Sequence, residues 1–255
     1  MSEDTYSASV PLGDIQRAPR NWLKTFVLIG MFVGVACMFV GLLLSSFTRA
    51  SEAARRTQCK GHLSGIAFAL HRYHETHMAF PPAYTVDENG QRLHSWRTLI
   101  LPYLGLRQEE LFEKLDLSKP WNHRVNAEVF KAKLHAFWCP SSELPQDFTT
   151  YLAVVGENAC FHPTKPRAIS EITDGTSHTI MVIEVPVKQA VPWMSPQDAD
   201  EQTVLRISEH DELAHTGGVQ AALADGSVRY LSATLAPETR RAVISINGED
   251  VVGEW

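Results

Sequence analysis

Histidines and cysteines are the residues of this sequence with the most chemistry to offer, and their spacing limits what that chemistry can be. His71-x-x-His74-x-x-His77 follows His62 in a stretch of helix-forming residues. Steps of three residues on a helix fan the imidazoles across roughly a third of the circumference, so an ion can bridge two of them while three do not converge on one point. The H-E-x-x-H spacing of a zinc peptidase is absent. A metal held by His71, His74 and His77 therefore competes with a structural reading, in which the rings pack on a neighbouring sheet or face water.

The remaining candidates are ambiguous in pattern. There is no G-x-S-x-G elbow and neither glycine-rich phosphate loop, G-x-G-x-x-G or G-x-x-x-x-G-K-[ST]. Ser227 follows Asp225-Gly226, residues that turns use for their geometry alone. His215-Thr-Gly-Gly218 puts an imidazole beside a flexible loop, which suits catalysis, but it suits a turn leading into a strand at Gln220 better. Glu209, Asp211, Glu212 and Asp225 fall close together late in the chain. Calcium needs about six to eight oxygens, and this spacing matches no EF-hand, so a solvated acidic loop is expected. The four cysteines, Cys37, Cys59, Cys139 and Cys160, form no C-x-x-C pair, against a zinc ribbon or thioredoxin-like site. A formal net charge of -6 over 255 residues, with no basic stripe, excludes a chain built to hold nucleic acid.

The elements that must position these residues start with an anchor. Thr25 to Phe47 carries no charge, and at about 1.5 Å per residue it crosses a hydrocarbon layer of roughly 30 Å as a helix, the one open segment that satisfies its own backbone in lipid. Trp22 and Lys24 stand where an interfacial aromatic and a snorkelling amine belong. The core is longer than that of a signal peptide, and Ser46-Phe47-Thr48 is a poor cleavage site, so an uncleaved transmembrane helix is expected over 22–48. Arg17, Arg20 and Lys24 precede it and Arg49, Arg55, Arg56 and Lys60 follow, so charge does not choose an orientation. Residues 1–21, with Pro11 and Pro19, read as a disordered polar tail.

Beyond the anchor, Cys59, Leu63, Ile66, Leu70, Tyr73 and His77 recur at steps of three and four, one helical stripe that continues the same helix over 49–78 until Pro81-Pro82. Short helices are expected at Arg107 to Leu115 and Asn126 to Lys133. Strands are expected at Thr150 to Val155, Thr179 to Val185, Val204 to Ser208, Gln220 to Ala224 and Val228 to Ser232, the last two joined by an Asp225-Gly226 hairpin. Pro237 opens a closing helix. Helices first and strands later argue an α+β fold with an antiparallel sheet.

Several segments are familiar as an ordered set: Glu52-Ala-Ala-Arg-Arg-Thr-Gln-Cys59, Leu70-His-Arg-Tyr-His-Glu-Thr-His77, Phe80-Pro-Pro-Ala83 and Trp138-Cys-Pro-Ser141. After them come Ile172-Thr-Asp-Gly-Thr-Ser-His-Thr-Ile180 with Glu184, Val191-Pro-Trp193 with Pro196 and Asp198, His215-Thr-Gly-Gly218, Leu223-Ala-Asp-Gly-Ser-Val-Arg-Tyr-Leu231 and Val251-Val-Gly-Glu254. Running from about Ser51 to the end, the series resembles the bacterial domain-of-unknown-function family DUF1559. The resemblance implies a pilin-like shape, a long N-terminal helix half in the membrane and packed on an antiparallel sheet. It also implies an exported domain, 49–255, outside the cytoplasmic membrane, and no assigned biochemical role. Members of that family commonly begin with a Gly-Phe-Thr-Leu-x-Glu prepilin run. Arg20-Asn-Trp-Leu-Lys-Thr-Phe26 stands here instead, without the glutamate, which argues against prepilin processing and pilus assembly.

The expected function is thus a membrane-anchored, pilin-like structural or interaction protein, non-catalytic and without a cofactor. Its expected partners are membrane lipid through Thr25 to Phe47 and proteins of the cell envelope. One alternative is an extracytoplasmic ligand-binding module with a pocket lined by Trp138, Trp193 and His215. The other is a metal-dependent enzyme using His71, His74 and His77. An extracytoplasmic domain permits a disulfide. Cys59 on the inward stripe and Cys139 at the end of what reads as a buried segment are the favoured pair, closing a loop of about 80 residues for about 4 kcal/mol in the chain-entropy model. Cys139–Cys160 is the rival pair, and Cys59 as a small buried apolar side chain is the plain alternative.

Overall fold

The computed structural model describes residues 21–248, and the chain divides into two compact units, Met1–Ser51 and Glu52–Trp255. The expected polar tail falls outside the described residues, as does the Val251 to Glu254 segment. One helix, α1 (Asn21–His77), carries the chain from the first unit into the second. Its stretch Lys24–Leu42 is long and apolar enough to cross a membrane, with a mean hydropathy of 2.4 and none of it buried against protein. Met78 takes a left-handed backbone conformation (φ 61°) and its N–H reaches back to the His74 carbonyl, so the helix ends there, before Pro81-Pro82.

In the second unit the helical stripe does what its period demands. Cys59, Leu63, Ile66 and Leu70 are fully buried, Tyr73 is half-buried, and His77 at the end is exposed. After α1 come a short hairpin, β1 (Tyr84–Val86) with β2 (Arg92–Ser95), then three short helices, α2 (Trp96–Leu99), α3 (Leu101–Leu104) and α4 (Leu106–Glu113), and α5 (Ala127–Phe130). A two-residue strand β3 (Phe148–Thr149) pairs later with β6 (Val191–Pro192). The main sheet is antiparallel throughout, in the order β4 (Tyr151–Ala153), β5 (Ile180–Glu184), β7 (Gly218–Leu223) and β8 (Val228–Ser232). Two helices, α6 (Glu201–Leu205) and α7 (Pro237–Ile244), complete the unit.

The sheet is covered on both faces, and the alternation of its strands sorts the core in two. Tyr151, Ala153, Val182 and Ala222 pack in one apolar cluster with Cys59, Leu63, Ile66 and Leu70 of α1. Leu152, Val154, Ile183, Ala221 and Leu223 pack in a second cluster with Val204 of α6 and Val243 and Ile244 of α7. The expected strand at Val204 to Ser208 is instead the end of α6 and its exit. Asp200 caps that helix by accepting the Thr203 N–H at 2.8 Å, and Glu201 sits in its first turn.

One buried ion pair ties these parts together. Arg97 of α2 is wholly buried and engages all its donors: Asp198 accepts at 2.7 Å, and the carbonyls of Trp193, Ser195, Gln197 and Tyr151 accept at 2.8 to 3.2 Å. Asp198 also accepts the Trp96 indole N–H and the Ala153 N–H, both at 2.9 Å, so one carboxylate pins α2 to β4.

Candidate functional site

The face of the sheet under α1 carries a polar cluster that begins with strand alternation. On β5, Glu184 shares the face of Val182, two residues away, and stands directly across from Tyr151 of β4. Next to it, on β7, the Gln220 N–H approaches Glu184 Oε2 at 3.5 Å. Cys59 of α1 is buried on this face, and Glu52, two helical turns earlier, lies on the same side of the helix.

Two irregular segments supply the rest. Cys139 follows a helical turn at His135–Phe137; Trp138 is fixed there by its indole N–H on the Leu144 carbonyl, and the His62 ring of α1 donates to the Trp138 carbonyl at 2.9 Å. His215 opens the turn into β7. That turn needs its two glycines: Gly217 has φ +83°, and a Cβ on Gly218 would lie 2.1 Å from the Leu231 carbonyl oxygen. Arg56 of α1 clamps the turn, donating to the Thr216 carbonyl and lying 4.7 Å over the Tyr230 ring, whose hydroxyl donates to the same carbonyl.

The outcome is a group of four donors, Cys59, Cys139, Glu184 and His215, whose ligand atoms all lie within 4.8 Å of one another. All four residues are buried, three of them with no exposure at all and Cys139 with 1%. His215 Nε2 is 3.8 Å from Cys139 Sγ and 3.7 Å from Glu184 Oε2, while its Nδ1–H donates to Glu52 Oε1 at 3.1 Å. Glu52 is itself held by Arg55 at 2.7 Å. Glu184 Oε1 is buried without a hydrogen-bond partner.

Electrostatics couple these groups. Burial pushes the Glu184 carboxyl up to about 7. Burial opposes charge on His215, but Cys59, Glu184 and Glu52 outweigh it and lift the imidazole to about 9. The two thiols share a hydrogen bond, which draws Cys59 down and, with burial, holds Cys139 up. For Glu52, partial burial is outweighed by the bonds from His215 and Arg55, and the carboxyl is held below its ordinary value.

Such a group can act as an activated thiol, form a disulfide, or hold a cation. Cys139, His215 and Glu52 stand in the order of nucleophile, base and orienting carboxylate. Cys139 has 1% exposure and His215 none, so neither side chain meets solvent directly. Cys59 and Cys139 are brought together and both are free thiols, as is Cys160, which is buried elsewhere in the core.

The other sequence candidates are dispersed. His71 packs edge-on against Phe80 with ring centroids 5.5 Å apart, His74 Nε2 accepts the Ile169 N–H at 3.2 Å, and His77 hydrogen-bonds with the Tyr103 hydroxyl at 3.0 Å. His71 and His74 both pack against Phe80 while His77 turns to Tyr103, and the three rings do not converge as a metal set. Asp211 caps Ser208 and pairs with Lys188, and Asp225 accepts from Ser227. Among the described residues, Cys59, Cys139, Glu184 and His215 are the one grouping of three or more such donors. The expected ligand pocket is not assembled either: Trp193 is fully buried, stacked on Phe137 at 5.8 Å with its N–H on the Phe130 carbonyl, and Trp138 is engaged with its own loop.

Cys59, Cys139 and His215 are thus legible in the sequence as candidates, in different roles. Glu184 and Glu52 are not, although both stand inside the segments that carry the family resemblance; a lone glutamate at the end of a fully apolar strand, Ile180 to Ile183, is the signal for the first. Residues 48–156 match the family model described as Protein of unknown function (DUF1559). No curated protein matches the chain, and no solved structure does.

Proposed function

We propose that this chain, which belongs to the DUF1559 family, is a membrane-anchored, pilin-like structural or interaction module of the bacterial envelope, non-catalytic and held on the extracytoplasmic side. The observation that carries the reading is the Lys24–Leu42 stretch, 19 residues, apolar and unburied. An apolar helix with no protein against it has lipid as its natural cover. Burial of the thiol, imidazole and carboxylate groups supports a non-catalytic role, because the residues best suited to covalent or acid–base chemistry face the interior.

Alkaline carbonate extraction of cell membranes, followed by protease treatment of spheroplasts, tests this reading. The full-length chain is expected to stay in the membrane pellet and to lose its folded unit to protease added outside. A shorter form in the soluble fraction, or a folded unit protected until lysis, overturns it.

A further inference from the structure

We propose that Cys59, Cys139, Glu184 and His215 are the four ligands of a structural zinc(II) ion, with Glu52 orienting the histidine. The donor set comes first. Two sulfurs, an imidazole nitrogen and a carboxylate oxygen from four separate segments converge at one point, and all four atoms lie within 4.8 Å of one another. Zinc binds sulfur at about 2.3 Å, nitrogen at about 2.0–2.1 Å and oxygen at about 2.0–2.2 Å, so the edges of its tetrahedron are roughly 3.3–3.8 Å long. A nitrogen–sulfur edge is then about 3.5 Å and a nitrogen–oxygen edge about 3.4 Å, and the spacings of His215 Nε2 to Cys139 Sγ, 3.8 Å, and to Glu184 Oε2, 3.7 Å, need only a slight contraction to match them.

Two independent observations point the same way. His215 turns Nε2 into the cluster and gives its Nδ1–H to Glu52 Oε1 at 3.1 Å, the arrangement that fixes the tautomer and ring angle of a metal-bound histidine. Glu184 is buried at the end of a strand whose other residues are all apolar, and its Oε1 has no hydrogen-bond partner. A buried carboxylate beside two thiols costs free energy unless a cation compensates it; Arg55 is engaged with Glu52 at the edge, which leaves a charged His215 or a bound metal ion for that role.

The site is a closed one. Four protein atoms complete the coordination and none is open to solvent, which is the pattern of zinc that holds a fold rather than zinc that turns over substrate. Its ligands join α1, the loop after His135–Phe137, the central strand β5 and the turn before β7, so the ion clamps the helix to the sheet. On binding, the thiols, the Glu184 carboxyl and His215 Nε2 give up to solvent whatever protons they hold, and no electron changes hands. This inference does not depend on the membrane reading and is tested separately.

The test uses the full-length chain, purified in detergent with a non-thiol reductant and no chelator. Elemental analysis is expected to give one zinc per chain, as isolated or after titration with zinc(II). Cobalt(II) in its place is expected to show thiolate-to-metal charge-transfer bands and the strong d–d bands of a tetrahedral ion, a signature that needs no variant. Cys139→Ser and Glu184→Gln are expected to weaken zinc at least tenfold, and Glu52→Gln about 10–100-fold with the stoichiometry kept. Cys160→Ser, a buried cysteine outside the cluster, is expected to leave binding unchanged. Absence of zinc both as isolated and after titration overturns the proposal. So do an octahedral cobalt spectrum, unaltered affinity in Glu184→Gln, or a Cys59–Cys139 disulfide in chains alkylated directly from membranes.

Discussion

A guanidinium with no exposure is tolerable only when every donor is used, and Arg97 meets that condition with one carboxylate and four carbonyls. Removing it leaves Asp198 charged and buried together with several carbonyls that have lost their donor. Arg97→Ala is therefore expected to destabilise the folded unit by about 3–5 kcal/mol. Urea unfolding of the detergent-solubilised chain measures this, and a loss below about 1 kcal/mol would mean that the pair is dispensable. Single residues also show where reading the sequence stops. Trp193, Arg97 and Asp198 belong to one constellation, but nothing in their spacing says so, because the contacts span 96 residues or more of chain. The same holds for Glu52 and His215, 163 residues apart. Short spacing draws attention to His71, His74 and His77, whereas the donors that meet come one each from distant segments, a pattern that local motifs do not reveal.

Elements are more legible than contacts, and the reason is period. The α1 stripe, β5 and the β7–β8 hairpin follow from repeats of 3.6 and 2 residues and from Asp225-Gly226. Val204 to Ser208 misleads because a short apolar run fits either period, and the cap at Asp200 outweighs it. The strands β1, β3 and β6 are two or three residues long, too short for any period. Gly218 shows how a turn and a strand constrain each other. It must start β7 opposite Ser232 while its α-carbon passes close to the Leu231 carbonyl and the Tyr230 ring, where a Cβ would come within 2.1 Å and 2.8 Å. Gly218→Ala forces the β7–β8 pair apart at its first rung, an overpacking cost of typically about 1–3 kcal/mol. Because Val219 and Leu231 form the next hydrogen-bonded rung after Gly218, the same substitution is expected to raise the hydrogen-exchange rate of the Val219 and Leu231 amides more than that of the Ile183 amide. No rise at the hairpin amides would show that the turn is not coupled to the hairpin, and an equal rise at all three would show that the substitution acts on global unfolding instead.

At the scale of the whole molecule the question is whether the apolar stretch of α1 holds the chain in a bilayer, and magnitudes allow a graded answer. About ten of the 19 residues of Lys24–Leu42 are Leu, Ile, Phe or Val. On the insertion scale each contributes roughly 0.3–0.6 kcal/mol near the helix centre, so together they supply at most about 3–6 kcal/mol. One arginine at the centre costs about 2.5–3.5 kcal/mol on the same scale. Val33→Arg is therefore expected to leave insertion near balance, with the chain divided between membrane and soluble fractions. Val33→Arg combined with Gly34→Arg, costing about 5–7 kcal/mol, is expected to abolish insertion. Both positions are open, since a Cβ on Gly34 would meet nothing within 4 Å and Val33 is exposed, so neither change disturbs packing in the folded unit. Membrane flotation of parent, single and double variants reads the series. A graded loss supports anchoring by lipid, whereas a double variant that floats as well as the parent means that something other than this helix attaches the chain to the membrane.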